Sequence, residues 1–495
     1  MGITIIDYIV FFIFIGGTIL FGCSFFSKNK SSSSYTSGGG NIPTWVVGMS
    51  IFATYVSSIS FLGYPGDAYM RNWNPFVFSL SIPIASWAAV KFFVPLYRSL
   101  NSVSAYNYLE VRFGYWARAY VAICYLLTQM ARTGSILFLL AIPFNFMLGW
   151  DIPTIIVITG ICVLIYSMMG GIQAVVWTDA IQGIILIAGA IACALVLLFS
   201  MPEGPSQLFE IANADHKFSL GSFGPSLKES TFWVVLIYGL FINLQNYGID
   251  QNYVQRYMTA KSEKDAKKSA LFGGLLYIPV SAFFLFIGTA LYAYYKANPG
   301  LLPEGITGDQ VFPYFMVYGL PTGITGLLIA SVFAAGMSTV STSINSSATI
   351  ILTDFYQHYK KKEIGDKESL RVLRISSAVL GIIGIIVGLL MMGVDGVLSA
   401  WWKLSSIFSG GMLGLFLLGF ICKKVQKTEA IIAVIAGVLV IAWMSLSPFL
   451  FTSGKWLEFR SELHGNLTIV LGTITIFLIG FLLSLVINRR MKNEK

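Results

Sequence analysis

Charge is scarce in this chain. Of its 495 residues, 11% are Asp, Glu, Lys or Arg and 56% are apolar, at a mean hydropathy of +0.75. A soluble domain carries roughly 25% charged residues, so a water-soluble globule is excluded, and so much apolar residue excludes disorder as well. Histidine is almost missing: His216, His358 and His464 all fall in loops or at the ends of apolar stretches. No Cys/His cluster and no carboxylate pair stands at membrane depth, which argues against zinc, iron or calcium centres and against a membrane-embedded enzyme. The five cysteines, Cys23, Cys124, Cys162, Cys193 and Cys422, sit inside apolar stretches and read as packing residues. The first stretch carries Asp7 in place of a basic leader and lacks a small-residue stop, so a retained helix is expected there.

Apolar runs long enough to cross about 30 Å of hydrocarbon recur thirteen times, with gaps too short for a separate aqueous domain. The reading is one all-α polytopic membrane protein. The net charge of +9 follows topology. With the N-terminus outside and the C-terminus in the cytoplasm, Lys and Arg concentrate in alternate loops. One of these is 256–269, and it includes Arg256. Only Arg71, Lys217, Lys228, Lys296, Lys455 and Arg460 fall on the other side, while Lys91, Arg132 and Lys403 lie within spans. Nucleic-acid binding is thereby excluded as the reason for the basic pI, and Lys91 and Lys403 read as snorkelling or paired side chains. The division expected is a first helix with a flexible cytoplasmic linker (1–44, including SSSSYTSGGG at 31–40), a five-helix repeat (45–201), an extracellular loop (202–230), a second, inverted five-helix repeat (231–422), and two accessory helices with a basic tail (423–495).

Three spans are not merely apolar. The second, GMSIFATYVSSISFLGYPGDAY (48–69), carries Thr54, Ser57, Ser58 and Ser60 at mid-depth, followed by Gly63, Pro65 and Gly66. The seventh, GLFINLQNYGIDQNYVQRY (239–257), carries Asn243, Gln245, Asn246 and Gly248. The two stand five spans apart at the heads of two groups of five, which is where inverted repeats place discontinuous helices around a midplane site. Packing of small residues and back-bonded hydroxyls explains any one of these residues on its own. In the ninth span Ser338, Ser341, Thr342 and Asn345 follow i, i+3, i+4, i+7 and make one polar stripe, an oxygen-rich face suited to Na⁺. Asp179, in GGIQAVVWTDAIQG (170–183), can give such a cation a full counter-charge. Arg132, near the middle of the fourth span, has a planar fork that matches a carboxylate. An interhelical Arg132–Asp179 ion pair is the alternative use for both.

The stretches GGIQAVVWTDAIQG, SINSSATIILTDFY and QNYVQRYMTAKS together resemble the sodium:solute symporter family, over spans two to eleven. The resemblance implies the inverted-repeat fold of the bacterial leucine transporter and Na⁺-driven alternating access. It also implies a first Na⁺ site at the carbonyls of Ala53, Val56 and Ala335 with the hydroxyls of Ser338 and Thr339, and a second at Asp179, Ser338, Ser341 and Thr342. Within the family the chain is most similar to bacterial sialic acid symporters. That implies a substrate carboxylate on Arg132, Ser57 and Ser60, with hydroxyls or the amide on Asn243 and Asn246. The expected protein is then a multi-pass plasma-membrane symporter, functional as a monomer, whose partners are an anionic sugar, Na⁺ and the bilayer. Proline, pantothenate or a neutral sugar is the alternative substrate, and a neutral sugar would leave Arg132 without a role. Tyr55 departs from the pattern, standing where a small hydroxylated residue is expected.

Overall fold

The computed structural model describes residues 3–25, 31–100, 102–306, 308–360, 364–394, 396–452 and 454–493. In hydrocarbon every backbone N–H and C=O must be satisfied within its own segment. Accordingly every element is helical, and the described residues contain no strand beyond one isolated bridge between Ile42 and Ala260.

The long helices in chain order are α1 Ile5–Ser24, α2a Thr44–Tyr55, α2b Ile59–Met70, α3 Phe76–Leu100, α4 Tyr115–Leu148, α5 Ile152–Ile165, α6 Gly171–Phe199, α7a Phe232–Ile249, α7b Gln251–Thr259, α8 Glu263–Ala297, α9 Ile324–Lys360, α10 Asp366–Leu390, α11 Val397–Ile421, α12 Lys427–Leu450 and α13 Leu467–Val486. Among the described residues, eleven helices are long and apolar enough to cross a membrane, or twelve with α2a and α2b taken as one bent span. Thirteen were expected from the apolar runs; α5 is apolar but falls short of that length. The sequence reading ended the fifth span at 169 and began the sixth at 174. In the structure the helix runs through this junction with one interruption, at Gly171, whose φ of 57° and ψ of −177° need a residue without Cβ.

Burial sorts the helices. In its most apolar window α9 is 89% buried, against 28% for α1 and 39% for both α12 and α13. The polar stripe therefore lies on the central post of the bundle, where other helices can satisfy it, and the last two helices lie outside. Contacts across the centre are close. A Cβ on Gly288 of α8 would stand 2.2 Å from the Pro65 carbonyl oxygen of α2b.

One expectation fails here. The segment 31–40, expected as a flexible linker, forms the helix Ser32–Ser37 followed by a 3-10 turn over Gly38–Gly40. Ser31 caps it, its side chain accepting from the Ser34 N–H at 3.1 Å. Tyr35 is buried, and the Thr36 carbonyl accepts from Gln255 Nε2 at 2.6 Å. A polar composition was read as freedom, but the hydroxyls that made it polar are the capping and back-bonding groups of a docked strap.

Gly288→Ala is expected to lower the thermal stability of the detergent-solubilised protein by about 1–3 kcal/mol, because backbone opposes backbone at that point. Gly17→Ala, where nothing lies within 4 Å, should leave the melting curve in place. Equal curves for the two variants would contradict the close approach of α2b and α8.

Candidate functional site

The break in α2 supplies the first element of the site. α2a ends at Tyr55, and Val56 is extended at φ −78° and ψ 117°, so the helical ladder is interrupted halfway through the span. The next half starts 56° off line, opening with a π-helical turn over Ile59–Gly63. A polar carbonyl at such a break needs a donor from elsewhere. Arg132 of α4 gives one, its Nη2 donating to the Thr54 carbonyl at 2.6 Å. Ser57 turns back to accept from the Ile59 N–H at 3.2 Å, and Ser60 shares a 3.2 Å hydrogen bond with the Tyr277 hydroxyl of α8. The seventh span breaks as well, at Asp250 (φ −74°, ψ 127°), whose carboxylate accepts from the Asn252 N–H at 2.8 Å and so caps α7b.

Between these two breaks lies a cavity of about 60 Å³. Arg132, Ser57, Ser60 and Asn246 of the expected substrate residues all face it. Asn243 does not: its amide donates to the Phe78 carbonyl at 3.1 Å and to Ser81 Oγ at 2.8 Å, holding α7a to α3 instead. Much of the remaining wall is aromatic. Tyr55 packs edge-on to Tyr277 at 4.4 Å and stacks on Tyr247 at 5.5 Å; Trp402 stacks on Phe78 at 5.3 Å. Tyr55 accordingly fills space in the cavity, as its bulk suggested.

A second cluster lies deeper in the protein, with no group exposed. Asp179 of α6 accepts from Ser50 Oγ of α2a at 2.7 Å and from Ser338 of α9. Its cationic partner is Arg256 of α7b, with Nη2 2.7 Å from Asp179 Oδ2. Arg256 also donates to Ser50 Oγ at 2.7 Å, to Thr342 Oγ1 at 2.8 Å and to the Asn252 carbonyl at 2.7 Å. Two sequence readings are corrected by this geometry. Arg256 is not part of a basic loop, since it is fully buried. The alternative Arg132–Asp179 pair does not form, because each has another partner: Thr54 for Arg132, Arg256 for Asp179.

The remaining candidates line the same helices. Thr339 back-bonds to the Ala335 carbonyl at 3.0 Å, and Ser341 to the Ser338 carbonyl at 3.0 Å. Ala53 is buried on α2a, its Cβ within 3.6 Å of where Gly183 of α6 would carry one, and Val56 sits at the break. Asn345, the fourth member of the stripe, accepts from Gln255 of α7b at 3.2 Å. One turn beyond Asp179, Gln182 is buried with neither amide atom bonded among the described residues. Sequence reasoning missed Arg256, Asp250 and the cavity residues Gln129, Tyr253, Tyr277 and Trp402. Arg256 and Asp250 stood in a quoted motif, but charge counting sent Arg256 to a loop.

Among the described residues no group of three His, Cys, Asp or Glu could hold a metal. What the fold supplies is two interrupted helices around an arginine-bearing cavity, with hydroxyls stacked on a buried post beside it. Such a molecule holds a small solute and an ion at mid-membrane; it is an ion-coupled secondary transporter of the leucine-transporter-like fold. A solved Na⁺-coupled sialic acid symporter, in a substrate-bound, outward-open state, matches it with a TM-score of 0.88 and 30% identity over 98% of each chain. A sodium/sialic acid symporter of Aliivibrio fischeri is 31% identical over 99% of this chain and 95% of its own. One of Proteus mirabilis is 33% identical over 88% of each. The model of the sodium:solute symporter family matches residues 35–437, and the chain belongs to that family. It is a transporter, not an enzyme, and its coupling ion is Na⁺.

Removing one member of a buried ion pair leaves an uncompensated charge, at a cost of about 3–5 kcal/mol. Asp179→Asn and Arg256→Gln are each expected to destabilise strongly, and the double variant by less than the sum of the two. Thermal unfolding of the four proteins checks this; strictly additive losses would mean that the two groups do not interact.

Proposed function

We propose that the protein imports sialic acid with Na⁺ across the plasma membrane by alternating access, as a monomer. The observation that carries the reading is Arg132: a guanidinium facing a mid-membrane cavity, with one Nη engaged by a broken-helix carbonyl, is a fork for a carboxylate. Ser57 and Ser60 stand beside it for the carboxylate, and Asn246 for hydroxyls or the amide. Asn243 acts at one remove, by holding α3 against α7a. Thirteen spans, with α2–α6 and α7–α11 as inverted repeats, the N-terminus outside and the C-terminus inside, are the topology we assign. The paired breaks at Val56 and Asp250 and the charge asymmetry of the loops support it.

Na⁺ binds the carbonyls of Ala53, Val56 and Ala335 and the hydroxyls of Ser338 and Thr339, pinning α2a to α9 and completing the cavity beside it. This is reciprocal coupling: an ion that favours the substrate-competent state is itself bound more tightly when substrate is present. A second Na⁺ uses Asp179, Ser338, Ser341 and Thr342. Asp179 has one oxygen on Arg256 and the other on Ser338, so the Ser338 side can take the ion without displacing Arg256. Stoichiometry sets the work available. At about 100 mV one net inward charge contributes about 2.3 kcal/mol, and a tenfold gradient about 1.4 kcal/mol per Na⁺. Two Na⁺ with one monoanion then drive several-thousandfold accumulation, whereas one Na⁺ with the anion is electroneutral and gives about tenfold.

The test is uptake of labelled N-acetylneuraminic acid into proteoliposomes under an inward Na⁺ gradient. Uptake should require Na⁺, rise with an inside-negative potential, and fall at least a hundredfold in Arg132→Ala, an arginine–carboxylate fork contributing about 3 kcal/mol. Full activity of that variant would refute the carboxylate role; indifference to the potential would refute the second Na⁺. Ser338→Ala, shared by both ion sites, should damage Na⁺ dependence more than any other single hydroxyl loss. A second reading is favoured by Tyr55, whose ring narrows the cavity: a smaller carboxylate is carried. Under that reading Tyr55→Thr gains N-acetylneuraminic acid uptake that the unaltered protein lacks.

A further inference from the structure

A larger cavity, of about 380 Å³, lies directly over the central one. Leu398 and Trp402 line both, so these two side chains form the wall between them. The wall is firm on the inner side. Leu398 sits over Gly63 of α2b, where a Cβ would be 3.2 Å away, and the Trp402 ring rests on Phe78 and on Tyr238 at 5.2 Å. In this conformation the inner cavity is cramped, while the outer one has a volume typical of small-molecule sites, which run from about 300 to 1,000 Å³.

The outer cavity is built from polar groups left with capacity to bind. Asn466 is 5% exposed. Its backbone N–H donates to His464 Nδ1 at 3.3 Å and its carbonyl accepts from Ser406 at 3.3 Å, yet its side-chain amide has no partner among the described residues. His464 is fixed by its N–H on the Leu227 carbonyl at 2.8 Å. Burial, with Lys403 and Arg71 nearby, holds its imidazole below the usual histidine range, so it is neutral at pH 7. With Nδ1 accepting, Nε2 carries the proton and is a donor. Arg71 touches protein only through Nε, 3.8 Å from Asp67, and its side chain is 66% exposed. The carboxylates of Asp67 and Glu229 also line the cavity and offset Arg71 and Lys403. It is therefore no general anion sink, and discrimination falls to the guanidinium fork and the hydrogen-bonding groups.

We propose that this cavity is a first, weak binding station for the acidic sugar, with the carboxylate on Arg71 and hydroxyl or amide groups on Asn466 and His464. The ligand waits there until the Leu398–Trp402 wall parts and passes it to Arg132. The inference rests on the substrate and orientation given above.

The test uses the full chain in lipid nanodiscs with labelled N-acetylneuraminic acid and Na⁺. Arg132→Ala, which removes the central carboxylate site, should retain weak saturable binding that disappears when Arg71→Gln and Asn466→Ala are added. In transport, Asn466→Ala alone should raise KM about two- to tenfold, the worth of a hydrogen bond, with little change in Vmax. Asn466 is neutral, so long-range charge steering does not predict that shift, and its unbonded amide makes misfolding on truncation easy to exclude by thermal unfolding. No residual binding in Arg132→Ala, or an unchanged KM in Asn466→Ala, overturns the station while the transport function stands. Failure of the unaltered protein to bind N-acetylneuraminic acid overturns both.

Discussion

The interaction on which the rest depends is the buried contact between Asp179 and Arg256. Neither side chain is exposed, so the charges cannot be screened by solvent and must be satisfied by protein. Satisfying them recruits Ser50, Ser338, Thr342 and the Asn252 carbonyl, and these groups belong to α2a, α9 and α7b, with Asp179 itself on α6. Four helices thus meet at one polar node, including the inner halves of both interrupted spans. A motion that separates α2a from α9 must first find other partners for these groups. The natural expectation is that the four move together, or that an ion is what lets them part.

The site above the node follows from a different constraint. A helix broken in hydrocarbon exposes carbonyls, and the cost of each is several kcal/mol unless a donor arrives. At Thr54 that donor is Arg132, which is itself costly to bury. Each group makes the other tolerable, and the remainder of the guanidinium is left facing the cavity. The breaks and the cation are therefore one device, and a substrate carboxylate would complete it by supplying the charge that a carbonyl only partly provides.

Much of this was legible in the sequence because membrane insertion imposes simple rules. Hydroxyls at 338, 341 and 342 in an otherwise apolar run had to face protein, and they lie on the most buried helix. The run of Ser, Gly and Pro after Thr54 had to unwind, and it does so at Val56. What failed, failed for identifiable reasons. Arg256 was assigned to a loop because charge is normally expelled from the bundle, and only a three-dimensional partner, Asp179, retains it. Asn243 was placed at the substrate by its depth, but depth does not say which way a side chain on a helix points, and it turned to Phe78 and Ser81. The strap at 31–40 was taken for a linker because composition carries no information about docking, which here depends on Gln255, more than two hundred residues away.

The aromatic lining bears on how selectivity arises. Tyr55, Tyr277 and Tyr247 form a packed group on one side of the cavity, and Phe78, Tyr238 and Trp402 form another at its outer end. Rings of this kind are rigid, with few torsions to order on binding. A ligand must therefore displace them as bodies, through movement of α2, α3 or α11, and cannot be accommodated by rotamer changes alone. In such a pocket the size limit and the gating motion are set by the same side chains. Relaxing Tyr55 would then alter the turnover rate together with the choice of substrate, whereas a change at Arg132 would act on affinity for the carboxylate and leave the gate as it is.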